Sequence, residues 1–140
     1  MRGYNVIAVF SPDRRTMLMC KRAKDPYKGL YNFVGGKIEP GEDGYSAAYR
    51  ELYEETGITE ADIRLVHLMD FSYPLDDCYV EVYVGGLTRG VEVRDEKNPL
   101  LWTTLDKNFY DMTQYAGEGN IGHIMEHIKM HKTEIFDERF

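Results

Sequence analysis

The sequence predicts a mixed α/β fold in which one mixed β-sheet lies between helices. Segments rich in β-branched, aromatic and large apolar residues outnumber helical ones and are interleaved with them, an order that suits neither an all-helical bundle nor an all-β barrel. A chain of 140 residues can hold one core and is too short for two ordinary ones. No repeat, low-complexity tract or Pro/Ser-rich linker divides it, so residues 1–140 are expected to form one domain.

Residues 4–10 and 16–22 are rich in β-formers and flank Ser11-Pro12-Asp13-Arg14-Arg15, a turn-forming stretch, which predicts a hairpin. Residues 30–34 predict a short strand running into Gly35-Gly36. A helix follows over 43–56, with Asp43 as N-cap and Gly57 as the C-terminal stop, so that strand, glycine loop and helix make the central unit. Residues 63–71 and 78–87 carry further strand signal across Ser72-Tyr73-Pro74-Leu75-Asp76-Asp77, and residues 100–105 predict another strand. Ile121, Ile124, Met125 and Ile128 then stand at i, i+3, i+4 and i+7, the stripe of an amphipathic helix over 121–131.

Asp and Glu number 24 against 17 Lys and Arg, an acidic balance that argues against binding a nucleic acid polymer, which begins with a basic face. A small anionic substrate then needs local help from a metal ion. Cys20 and Cys78 form no CxxC pair, which argues against a zinc ribbon or a disulfide framework and predicts two reduced, buried thiols. No apolar run reaches the roughly 18 residues of a membrane span, and Asn5, Ser11 and Pro12 break the start before any cleavage-type sequence, so the expected location is the cytoplasm, away from membranes.

The chemistry concentrates on the first helix. At about 100° per residue, Glu51, Glu54 and Glu55 share an arc of roughly 100°, while Tyr45, Tyr49, Leu52 and Tyr53 fall on the other side as an expected core stripe. Like charges three and four apart each cost about 0.2–0.5 kcal/mol. Their place near the helix C-terminus, where the macrodipole prefers cations, adds to the cost. Ala47 and Ala48 lie beside Glu51 and leave room for a ligand, and Gly35-Gly36 and Pro40-Gly41 allow close backbone approach. Carboxylate and carbonyl oxygens of this kind suit a hard divalent ion shared with substrate phosphates, and Arg50 has the planar fork to hold a carboxylate in place.

Gly36-Lys37-Ile38-Glu39-Pro40-Gly41-Glu42, seven residues, then Arg50-Glu51-Leu52-Tyr53-Glu54-Glu55-Thr56-Gly57-Ile58 resembles the Nudix box at every defining position, over residues 36–58. Trp102-Thr103-Thr104-Leu105-Asp106 is similar to an element that often follows the last sheet strand in the Nudix hydrolase family. The resemblance implies a mixed sheet between helices and hydrolysis of a nucleoside diphosphate linked to another moiety, with Mg²⁺ or Mn²⁺ as cofactor. By position it implies Glu51, Glu54, Glu55 and the Gly36 carbonyl as metal ligands, Arg50 and Glu42 as orienting groups, and Gly35 and Lys37 beside the substrate. Related enzymes draw the general base from the box or from outside it, which makes Glu51, Asp76, Asp77, Glu96 and Glu118 the candidates, Glu51 first; Glu118 has a mobile setting between Gly117 and Gly119.

Oxidised-purine triphosphatases of the family read the base with an asparagine just before the glycine pair, and Asn32 occupies that place. Thr113-Gln114-Tyr115-Ala116 stands where those enzymes carry paired aspartates, a departure from the pattern; Tyr115 and Trp102 are further stacking candidates. Tyr73 and Pro74 mix the cues associated with dinucleoside polyphosphate and ADP-ribose hydrolases. The expected activity is that of a MutT-like enzyme cleaving a nucleoside triphosphate, possible oxidised forms included, to monophosphate and pyrophosphate, an assignment also favoured by the small domain and the lack of an extra N-terminal segment. An ADP-ribose or nucleotide-sugar pyrophosphatase is the alternative, and a nucleotide sensor without turnover is a third reading. The expected partner is a small nucleotide, with the chain as monomer or homodimer. His123-Ile124-Met125-Glu126-His127 spells the inverted zincin order, but a zinc site needs a third protein ligand and only 13 residues follow, so surface histidines are expected.

Overall fold

The computed structural model describes residues 1–95 and 97–136. β1 (Arg2–Phe10) is the strand on which the sheet is built. It pairs in parallel with β6 (Cys78–Gly86) from Arg2↔Cys78 to Phe10↔Gly86. At Phe10↔Met17 it meets β2 (Thr16–Lys21), which pairs in turn with β3 (Tyr31–Asn32) and β7 (Leu100–Thr104). The expected hairpin is present, its turn closed by the Ser11 N–H to the Thr16 carbonyl at 2.9 Å. β5 (Val66–Tyr73) pairs antiparallel with β6. The helices are α1 (Gly44–Thr56), α2 (Asn120–Met130) and a short α3 (Lys132–Phe136).

β1 needs neighbours on both faces because Ile7 to Phe10 are all buried. Its alternation sorts the core into two layers. Ile7 and Val9 pack with Leu18, Val34 and Leu52 under α1. Ala8 and Phe10 pack with Met19, Val82, Ile121, Ile124 and Ile128 under α2. The mixed sheet between helices is therefore as the sequence predicts. No helix among the described residues is long and apolar enough to cross a membrane. Cys20 and Cys78 are both free; burial pushes the Cys20 thiol up to about 11, whereas Cys78 is only half-buried.

Two local expectations change. Gly35 and Gly36 belong not to a loop but to β4 (Val34–Ile38), which pairs with β1 through Val6↔Gly35 and Asn5↔Gly36. Glycine serves close packing here: a β-carbon on Gly35 would overlap the Asn5 backbone carbonyl, and one on Gly36 would overlap the Glu51 carboxylate. The second change is the buried face of α1. Ala47, Ala48, Glu51, Leu52, Glu55 and Thr56 face the sheet, whereas Tyr45 and Tyr53 are 43% and 47% exposed. The small alanines bring the helix close enough to carry its carboxylates inside. Tyr45 and Tyr49 brace the next segment, where the Tyr49 hydroxyl accepts from the Leu65 N–H at 2.9 Å and the Tyr45 hydroxyl from the His67 N–H at 3.1 Å. Both expected caps are formed: Asp43 accepts from the Tyr45 N–H at 3.0 Å, and Gly57, at φ 83°, donates to the Tyr53 carbonyl.

Candidate metal and nucleotide site

Arg50 ties β4, the following turn and α1 into one unit. Its Nε and Nη2 donate to the two oxygens of Glu42 at 2.8 and 2.9 Å, a bidentate fork, and Nη2 also donates to the Lys37 carbonyl at 3.0 Å. Nη1 donates to Glu51 Oε1 at 3.0 Å and reaches Glu54 at 3.3 Å. Glu42 further accepts from the Glu39 N–H at 3.0 Å. These bonds, those of Arg50 first, hold the Glu42 carboxyl at about 2, below its ordinary 4.5. Because the folded value is depressed, the stability Glu42 contributes is fully present above about 4.5, declines as pH falls below that, and is gone once pH has fallen through about 2. Thermal melts of wild type and Glu42→Gln are expected to keep their difference down to about pH 4 and to converge near pH 2; convergence by pH 4 would show that the pair is not formed in solution.

Glu51 is 6% exposed, and its Oε2 is buried with no hydrogen-bond partner. Glu55 is equally buried; burial lifts its carboxyl above the ordinary glutamate range, Lys97 opposes the rise, and Glu51 and Glu54 add to it. Glu54 lies exposed at the rim. An acceptor left unsatisfied in the interior is destabilising, and the Glu51 carboxylate beside the Gly36 backbone offers oxygen donors of the kind a hard divalent cation takes. Gly36 leaves the space that the Glu51 carboxylate occupies.

On the α2 side a cleft of about 630 Å³ is lined by Asn32, Phe71, Tyr73, Asp76, Glu118 and Asn120, among others. Three of the candidate residues, Asn32, Asp76 and Glu118, thus share one cavity. Asn32 Oδ1 accepts from the Phe33 N–H at 2.8 Å. Glu118, at φ 50° between two left-handed glycines, does not reach for the box carboxylates: both its oxygens accept from the Tyr27 hydroxyl at 2.7 Å. Burial and this carboxylate push the Tyr27 hydroxyl up to about 12. Asp77 is exposed and lies 3.8 Å from the N-terminal ammonium. The Lys37 side chain is exposed, and what it brings to the box is its carbonyl. Glu96 lies outside the described residues. Trp102 and Tyr115 line a different cavity, of about 600 Å³, together with Tyr31.

Sequence reading missed Asn5 and Tyr27. Asn5 is 2% exposed and accepts from the Gly36 N–H at 3.0 Å; its one signal is a lone amide inside an apolar strand. A bulge between His67 and Met69 also turns His67 and Asp70 to one face, so that they meet Glu81 with ligating atoms within 4.8 Å of one another. That cluster lies against Gly44 at the start of α1 and closes on itself, through His67 Nε2 and Asp70 at 2.6 Å and the Tyr83 hydroxyl donating to Glu81 at 2.8 Å. His123 and His127 meet edge to face along α2 with ring centroids 4.6 Å apart, His123 exposed and His127 half-buried.

Over 81 residues the chain is 33% identical to the CTP pyrophosphohydrolase of Escherichia coli (strain K12), a match covering 49% of this chain and 60% of that protein, less than two thirds of its length. Over 108 residues it is 28% identical to the oxidized purine nucleoside triphosphate hydrolase of Mus musculus, covering 76% of this chain and 68% of that one. Its fold superimposes on a C. elegans Ap4A hydrolase binary complex with a TM-score of 0.75 at 17% identity, over 96% of this chain and 100% of the other. The NUDIX domain family itself matches residues 1–115. Since that match runs from the first strand through the whole box to Tyr115, the chain belongs to the Nudix family.

Proposed function

We propose that the chain is a divalent-cation-dependent pyrophosphohydrolase that cleaves a nucleoside triphosphate, standard or oxidised, to a monophosphate and pyrophosphate. The observation that carries this reading is the partnerless Glu51 Oε2, held beside Gly36 by Arg50 in a box that lacks none of its glutamates. A sensor without turnover has no need of the complete set. Glu51, Glu54, Glu55 and the Gly36 carbonyl are the groups that would hold Mg²⁺ or Mn²⁺. Such an ion, when bound, neutralises nonbridging phosphate oxygens and lowers the pKa of a water molecule.

The chain's own residues orient and exclude. Arg50 fixes the Glu51 carboxylate and, through Glu42 and the Lys37 carbonyl, the turn that faces it. Glu51 is the first candidate for the general base. The phosphates belong on the α1 side and the base in the 630 Å³ cleft on the α2 side, where Asn32 offers an amide to the base edge. Among the described strands β4 pairs with β1 alone, which leaves an edge round which an extended nucleotide passes from one face to the other. The names of the E. coli and mouse relatives, both enzymes of nucleoside triphosphates, support this choice of substrate.

A panel of nucleoside triphosphates, oxidised-guanine triphosphate, ADP-ribose, nucleotide sugars and dinucleotides, with and without Mg²⁺ and with products identified by mass, tests the proposal. A monophosphate and pyrophosphate are expected, with metal only. Asn32→Ala is expected to narrow the differences in kcat/KM between bases by about 1–3 kcal/mol, the cost of an unpaired buried edge. ADP-ribose turnover tenfold above every triphosphate would replace the substrate assignment, and no product from any compound would favour the sensor.

A further inference from the structure

Two buried side-chain atoms among the described residues lack a hydrogen-bond partner, Glu51 Oε2 and Asn5 Nδ2. One accepts and the other donates, and both belong to residues that adjoin Gly36. The Glu51 carboxylate occupies the space a Gly36 β-carbon would take. Asn5 is the strand partner of Gly36 on one side and of Glu81 on the other, and its Oδ1 accepts from the Gly36 N–H at 3.0 Å. That bond decides the orientation of the amide: the backbone donor requires the oxygen, which leaves Nδ2 as the free donor. An interior amide whose nitrogen is unsatisfied is uncommon, because the group has lost water and gained nothing. β1 is otherwise apolar from Val6 to Phe10, so an asparagine at this position weakens the core unless both ends of its amide are used.

We infer that Asn5 is a positioning residue of the box. Its amide ties the Gly36 backbone through Oδ1 and the Glu51 carboxylate through Nδ2, the second bond closing when a cation settles that carboxylate. Arg50 already holds Oε1 from the α1 side, so Asn5 completes the restraint from the sheet side. Ligand carboxylates that are themselves hydrogen-bonded keep their orientation toward a metal, and partners of this kind matter to affinity. The inference rests on the reading of the box as a cation site. An asparagine that merely braces β4 would need only its Gly36 bond, and its nitrogen would be indifferent to the cation.

Side-chain amide NMR of the wild-type protein, titrated with Mg²⁺ alone, separates these cases. One Asn5 Nδ2 proton is expected to move downfield and to exchange more slowly as the ion binds. Asn5→Leu, which keeps the volume and removes both bonds, is expected to weaken Mg²⁺ affinity by about 10–100-fold, read from the Mg²⁺ dependence of its melting temperature. Should this variant fail to fold, the wild-type titration still decides. An Asn5 amide that stays still while the Glu51 and Glu54 backbone signals move, or wild-type affinity in a folded Asn5→Leu, overturns the role of Asn5 and leaves the box intact. No movement at Glu51 or Glu54 removes the cation site and this inference together.

Discussion

Glu55→Gln is expected to cut turnover by more than about a hundredfold while leaving the cation-free protein at least as stable as wild type. Groups that only support a metal ligand are worth about 10–100-fold, and Glu55 is proposed as a ligand, so its loss should exceed that range. The stability argument runs the other way. Glu55 is buried, burial lifts its carboxyl, and Glu51 and Glu54 add repulsion, so the apo protein holds a charge it would fold better without. Glutamine keeps the volume and removes that charge. Glu54→Gln should lose turnover as well but gain less stability, because Glu54 is exposed and faces Arg50 at 3.3 Å. Stabilisation by added Mg²⁺ should shrink in both variants. Melting curves with and without Mg²⁺, alongside initial rates, check this; a wild-type Mg²⁺ response in both would contradict the proposed ligands.

Arg50→Ala is expected to damage activity and fold together. One guanidinium engages Glu42 twice, Glu51, Glu54 and the Lys37 carbonyl, so its removal frees the turn after β4 and leaves the half-buried Glu42 and buried Glu51 without their cationic partner. Turnover should fall about 10–100-fold with a lowered melting temperature. Arg50→Lys should recover little, because an ammonium cannot reproduce the fork that spans both Glu42 oxygens. Adding Glu42→Gln to Arg50→Ala should cost less than the two single changes combined, since both break the same pair. Additive losses would mean that Glu42 and Arg50 act separately.

The box and its helix were legible because their signals are local. Asp43 and Gly57 act through bonds to residues two and four away, and the spacing from Gly36 to Ile58 is a property of the chain alone. The faces of α1 were harder to read. The spacing puts the three glutamates on one side, and it predicts the tyrosine side as core because a helix in a small domain must bury one face. Here two carboxylates are buried at the site that would use them, and Tyr45 and Tyr49 lend hydroxyls to neighbouring backbone instead. A rule of patterning fails where function requires an unfavourable burial.

By itself the sequence determined the mixed α/β class, the caps of α1, the turn after β1 and the spacing of the box, all of which follow from periodicity, short-range hydrogen bonding or spacing. Tertiary structure decided that Gly35 and Gly36 lie within a strand, that Asn5 meets Gly36, and that Asn32, Asp76 and Glu118 line one cleft. It also joined Tyr27 to Glu118 across 91 residues and turned His67 toward Glu81 through a bulge. These depend on which strands pair and in what register. Such pairings are settled when distant apolar faces, here those of β1, β6 and α2, are buried against one another, and no neighbouring residue along the chain records that choice.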